Sequence, residues 1–179
     1  MHSIIESGAD GDVTKFKVFI PYLWFIGMSG LFGLIASSMT TYWAQGAAMS
    51  GLPEMIGWVN GVNYPEYIGL NILITKMIGN CLAMAAKLCI GKEGPLAHCG
   101  SNCGILTLYL PGFPFKFLQN DTRRREFLAA GCASGVAIAF GAPVGGPLFV
   151  YEMCWPNGFF RTHLLRWKVF MATSIATFL

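Results

Sequence analysis

Gly91-Lys92-Glu93-Gly94-Pro95, followed by Leu96-Ala97-His98, sets a carboxylate between two glycines just before a proline. That pattern marks a sharp backbone turn opening a helix. The first turn of a helix leaves N–H groups unpaired and carries partial positive charge. Inside a membrane such a turn is an anion site, and Glu93 is an anion mimic seated in it. Taken alone, the five residues read first as a plain helix cap with Glu93 favourably placed on the dipole. A second stretch, Met49-Ser50-Gly51-Leu52-Pro53-Glu54, repeats the theme. Ser50 stands where an N-cap residue would, Pro53 in the first turn and Glu54 on the positive end of the dipole.

The elements that must carry these turns are apolar. Of 179 residues, 54% are hydrophobic and 12% charged, about half the charge of a soluble domain. Val18 to Pro53 contains no Asp, Glu, Lys, Arg or His. That run far exceeds the roughly 20 residues that span a bilayer. The chain is therefore expected to be all-α, a polytopic membrane protein, with a polar tail over 1–15 and a membrane domain over 16–179. The tail contains Glu6, Asp10 and Asp12 and no basic lead into a short apolar core, so no signal peptide is expected there. A net charge of +3 is too small to argue for nucleic acid. Lys116 with Arg123, Arg124 and Arg125, and Arg161 with Arg166 and Lys168, form two basic clusters that read as cytoplasmic loops.

Val18–Gln45 reads as the first spanning helix, with Gly27, Gly30 and Gly33 permitting close helix contact. Met55–Val62 is too short to span, and an interrupted segment at membrane depth must line a cavity or be buried in protein. Ile68–Ile90 spans and carries Lys76 and Lys87. Lys87, near the segment end, snorkels; Lys76 is the better source of a field acting on an anion. Glu93–Leu110 is the next helix, ended by Pro111-Gly112-Phe113-Pro114. The sequon Asn120-Asp121-Thr122 is inert if its loop is cytoplasmic. Phe127–Tyr151 is broken at Phe140-Gly141-Ala142-Pro143 into two helices, and Thr162–Leu179 begins another.

Enzyme chemistry finds little support. Lys92 lacks the glycine spacing of a Walker loop, and no HExxH is present. Ser50, His98 and His163 are far apart and follow no known triad order. Cys81, Cys89, Cys99, Cys103, Cys132 and Cys154 contain no CxxC pair. They read as small hydrophobes in preference to a soft metal site of His98, Cys99 and Cys103. No metal or cofactor is expected.

Three stretches together resemble the CLC family of chloride channels and chloride/proton exchangers. Met49–Glu54 is similar to the family's GSGIPE, Gly91–His98 to GKEGPLVH, and Phe140-Gly141-Ala142-Pro143-Val144-Gly145-Gly146-Pro147-Leu148-Phe149 to FGAPVGGVLF. Order and spacing agree over about residues 18–179. The resemblance implies the first half of an inverted-repeat fold with broken and re-entrant helices. It implies a chloride pathway in which Ser50, Gly51, Leu52, Gly94 and Pro95 surround the ion, Gly91 helps to shape the turn and Glu93 gates. Lys76 would raise the local potential. Chloride is then the transported ligand, the bilayer the medium, and a homodimer the assembly. Nothing in the sequence separates a plasma membrane from an intracellular one.

Several positions depart from the family pattern. The second acid after the LF motif, the internal proton glutamate of exchangers, is Met153 here, which cannot carry a proton. This resembles the channel branch, although the rest is closer to the intracellular exchangers, and the expectation leans towards passive or weakly coupled conduction. Met49 replaces a glycine, Lys87 a small residue and Pro147 an aliphatic residue whose backbone hydrogen bond proline would remove. The resemblance also implies a second half with a GxFxP turn and an ion-touching tyrosine, a membrane helix before Val18, and CBS domains, none of which the 179 residues contain. The expectation is one half of a transporter or a fragment. A non-conducting accessory subunit that keeps the half-fold is the reading from another class.

Overall fold

The computed structural model describes residues 13–109, 120–153 and 163–179, with side chains described from residue 18 and, in the last segment, from residue 167. Lys116, Cys154, Arg161, the Pro111–Pro114 break and most of the polar tail lie outside these residues, as do the side chains of His163 and Arg166. The described part is helical: α1 Val13–Tyr42, a 3₁₀ turn Gln45–Ala47, α2 Leu52–Val59, α3 Leu70–Ala85, α4 Glu93–Leu106 with a 3₁₀ turn Thr107–Tyr109, α5 Asp121–Phe140, α6 Gly145–Met153 and α7 His163–Phe178.

Length sorts these helices. Within α1, Val18–Tyr42 is apolar and long enough to cross a membrane. Most of its large side chains point outward, Trp24 being 71% and Leu34 74% exposed, as lipid-facing residues are. The first spanning helix thus begins and ends slightly earlier than the sequence suggested. The expected span Ile68–Ile90 contracts to α3, whose 16 residues reach about 24 Å, short of the roughly 30 Å hydrocarbon core. It stops because Lys87 turns left-handed at φ 57°. Lys87 N–H bonds the Met84 carbonyl at 3.0 Å and Leu88 N–H that of Ala83 at 3.2 Å, a Schellman closure with lysine where glycine is usual. Lys87 is exposed at this bend.

The core is organised on α5. Leu128, Ala129, Cys132 and Ala133 are fully buried, packed with Met55 and Val59 of α2, Ala97 and Ile105 of α4, Val150 of α6 and Val169 of α7. The closest helix pair is α4 against α5. An added Cβ at Gly100, Gly104, Gly131 or Gly135 would strike a carbonyl oxygen of the other helix. Small residues bring backbones together where lipid supplies no hydrophobic drive. The expectation placed this role on Gly27, Gly30 and Gly33. That is corrected: a Cβ at Gly27 or Gly30 meets nothing within 4 Å, and at Gly33 only Leu88 Cδ1 at 3.9 Å. Nor do the cysteines behave alike, since Cys132 is buried while Cys81, Cys89 and Cys103 are exposed.

The break between α5 and α6 falls where the sequence put it. Gly141 closes α5 at φ 64° and Ala142 N–H returns to the Ala137 carbonyl at 3.0 Å. Pro147 needs a different account from the one expected. It is the third residue of α6, where an N–H has no obligatory intrahelical partner. The carbonyl it would have addressed, that of Pro143, accepts the Thr173 hydroxyl of α7 at 2.9 Å. The basic cluster at Arg123 is likewise helix rather than loop. Arg123 pairs with Glu126 at 2.6 Å, and Arg124 approaches Asp121 at 3.7 Å and the Tyr109 ring at 5.5 Å.

Candidate functional site

Two interrupted helices start at one cavity. It measures about 590 Å³ and is lined by Ser50 and Leu52 of the α2 turn and by Gly91, Gly94 and Pro95 of the α4 turn. The walls are α1, through Ser37 and Thr40, and α3, through Thr75, Lys76 and Asn80. The two turns touch: a Cβ on Gly94 would lie 2.9 Å from Ser50 Cβ. Both helices therefore open at one space, where the positive dipole ends of α2 and α4 lie close together.

The α2 turn is built differently from the expectation in one detail. The N-cap is Gly51, left-handed at φ 82°, with Pro53 and Glu54 in the first turn. Ser50 stands one residue before the cap, and its Oγ accepts the Leu52 N–H at 3.5 Å, a long bond that leaves the hydroxyl available. Gly51 is required twice over. Its φ favours glycine, and a Cβ there would sit 2.5 Å from His98 Nδ1.

The α4 turn needs no left-handed residue, since Lys92 at its N-cap is right-handed. Glu93 opens the helix with its carboxylate folded back over Gly91, where an added Cβ would lie 2.5 Å from Oε2. Glu93 itself is not among the residues that line the cavity, whereas Gly91 and Gly94 are. Gly91 leaves the space this fold-back occupies.

Lys76 is 6% exposed. Its ammonium donates to the Ala47 carbonyl at 2.8 Å and to the Met49 carbonyl. The charge is therefore tied to the segment that leads into Ser50. Lys76 lines the cavity, while its hydrogen bonds go to backbone. Met153 ends α6 and packs against the hydrophobic core, away from the cavity lining.

Sequence reasoning weighed His98 only as a metal ligand or triad member and took it to be far from Ser50. The fold places it under the α2 turn. His98 is 1% exposed, stacks on Tyr67 at 4.4 Å and 9°, and its Nε2 lies 3.0 Å from the Tyr67 carbonyl. Facing a carbonyl, Nε2 must be the protonated nitrogen. One turn on, Asn102 donates to the same carbonyl at 3.3 Å and accepts the Gly69 N–H at 3.1 Å. The pair clamps the linker before α3, which carries Lys76. The signal was present: two polar residues four apart in a run of small and apolar ones share a helix face. Among the described residues no group of His, Cys, Asp and Glu could hold a metal ion.

A family model described as "Voltage gated chloride channel" matches residues 32–179. The chain is 38% identical to "Chloride channel protein A" of Dictyostelium discoideum over 170 residues, 90% of this chain and 19% of that protein. It is 34% identical to "H(+)/Cl(-) exchange transporter 7" of Homo sapiens over 184 residues, 99% of this chain and 22% of that protein. With "Putative chloride channel-like protein CLC-g" of Arabidopsis thaliana it shares 40% over 150 residues, 79% of this chain and 19% of that one. The chain thus spans about a fifth of the length of the curated relatives it matches. The family is one of channels and transporters rather than enzymes. With two interrupted helices converging on one cavity and a family match that runs through both turns, this chain belongs to the voltage-gated chloride channel, or CLC, family of polytopic membrane proteins.

Proposed function

We propose that the chain forms one wall of a chloride pathway across a membrane. The anion sits at the first turns of α2 and α4, against the Ser50 hydroxyl and the backbone around Gly51, Leu52, Gly94 and Pro95. The observation that carries this reading is the contact between the turns, Gly94 against Ser50, at the mouth of one cavity. Neutral N–H and O–H donors bind an anion without trapping it as a full positive charge would. Lys76, held on the Ala47 and Met49 carbonyls, adds a background potential. Glu93 is the gate: ionised, its carboxylate swings from Gly91 to compete for the dipole of α4, and protonated, it leaves the anion unopposed.

The names of the relatives support chloride as the ion, two of them as channels or channel-like proteins and one as a proton/chloride exchanger. Met153 removes the internal acid and favours passive conduction over coupled exchange. A complete pathway and a homodimer are part of the proposal.

The test is chloride flux into liposomes containing the protein. Acid raises flux in the wild type, and Glu93→Gln fixes it at the raised level. Ser50→Ala lowers chloride affinity about fivefold, the worth of one hydrogen bond. A Glu93→Gln protein that responds to pH as the wild type does would contradict the gate. Reversal potentials across a pH gradient separate the two modes: no shift with pH is expected, and a shift establishes proton coupling.

A further inference from the structure

Helix α2 opens at the cavity, and its other end meets a cation. That end closes as a Schellman motif. Gly61 N–H donates to the Trp58 carbonyl at 3.2 Å and Val62 N–H to that of Gly57 at 2.9 Å, with Gly61 at φ 107°. The negative end of the helix dipole lies there. A Cβ added to Gly61 would sit 3.4 Å from Nη1 and 3.8 Å from Nη2 of Arg125, so the guanidinium packs on the closing turn. Arg125 comes from the start of α5, where Arg123, Arg124 and Arg125 follow one another. Cations are poorly placed at the positive end of a helix. Arg123 has Glu126 at 2.6 Å and Arg124 has Asp121 at 3.7 Å; Arg125 is in neither of these ion pairs. Its favourable surroundings are the far end of α2. It is half-buried, and Leu128 and Ala129, one turn on, are fully buried, so it is presented from a packed helix.

We propose that Arg125 is a positioning residue for the anion site: its guanidinium holds the C-terminal end of α2 and offsets the negative pole there, so that the positive pole at Ser50 and Gly51 acts on chloride unopposed. The inference deepens the proposed function and rests on chloride binding at the α2 turn. A helix of eight residues is about 12 Å long, which sets the guanidinium about 15 Å from the ion. At an effective dielectric of about 20, unit charges at that separation change an affinity about fivefold. Arg125 therefore tunes the site along the helix axis without touching the anion, whereas Lys76 lines the cavity itself.

The experiment measures chloride binding by calorimetry, and amide hydrogen exchange, on the protein in nanodiscs. Arg125→Gln should weaken chloride binding about fivefold, and Arg125→Lys, which keeps the charge, should stay within about twofold of wild type. Arg125→Met keeps the apolar stem and loses the charge; it should follow Arg125→Gln, and it serves if that variant does not fold. Arg123→Gln removes the same charge two residues away, from a side chain already paired with Glu126, and should change affinity by less than about twofold. Exchange of the Gly61 and Val62 amides should quicken about fivefold in Arg125→Gln, the worth of a cation at a helix C-terminus, and return in Arg125→Lys. Equal losses of affinity in Arg123→Gln and Arg125→Gln would make the effect one of general surface charge and overturn the assignment. So would a lysine variant as weak as the glutamine one. If the wild type binds no chloride, the anion reading fails separately. Exchange then decides whether Arg125 holds α2: quickening rescued by lysine upholds it, and unchanged exchange overturns it.

Discussion

The two helix starts that meet at the cavity solve one problem in opposite ways. At α2 the turn is locked from beneath: Gly51 is left-handed and rests on the His98 ring, which is held by stacking on Tyr67 and by its carbonyl. At α4 the backbone is ordinary, Lys92 being right-handed, and the group pressed on Gly91 is the flexible Glu93 carboxylate. A rigid turn holds fixed donors at an ion; an open turn lets a side chain enter and leave. That contrast supports the proposed division of labour, binding at α2 and gating at α4.

Alanine substitutions at the glycines of the two turns test that contrast directly. Gly51→Ala meets both a positive φ and the His98 ring, and should cost about 3 kcal/mol from left-handed strain plus overpacking. Thermal unfolding in detergent reads it, and a cost below about 1 kcal/mol would mean the turn is not locked. Gly94→Ala pushes on Ser50 Cβ at 2.9 Å. It should cost about 1 kcal/mol and weaken chloride binding by parting the turns; unchanged affinity would break the link between contact and site. Lys87→Gly relieves a left-handed lysine and should stabilise by about 1 kcal/mol. Gly91→Ala meets only the tip of Glu93. Stability should stay within about 0.5 kcal/mol while the pH response of flux shifts, because the carboxylate loses its resting place. A large loss of stability there would show the α4 turn to be as constrained as the α2 turn.

Much of this was legible in the sequence, for physical reasons. The absence of charge from Val18 to Pro53 dictates a membrane helix. Glycine and proline punctuate the turns at Gly51, Gly91 and Gly141, so the broken helices could be read in order. The cap at α2 was misplaced by one residue because serine and glycine both serve there, and only the backbone angle decides. The close helix pair was assigned to the wrong glycines, since the motif says that backbones can approach and not which helix comes. Pro147 looked like a lesion because its rescuer, Thr173, lies far along the chain. His98 was missed as a site residue for the same reason: its partners, Gly51 and Tyr67, come from an earlier turn and linker.

Locating a bound halide tests the account most directly. Bromide soaked into crystals of the protein and found by anomalous diffraction should give a peak in the cavity between the first turns of α2 and α4, within about 3.5 Å of the Ser50 hydroxyl and backbone N–H groups, and the peak should vanish in Ser50→Ala combined with Gly94→Ala. Bromide bound elsewhere, with this cavity empty at saturating concentration, would contradict it.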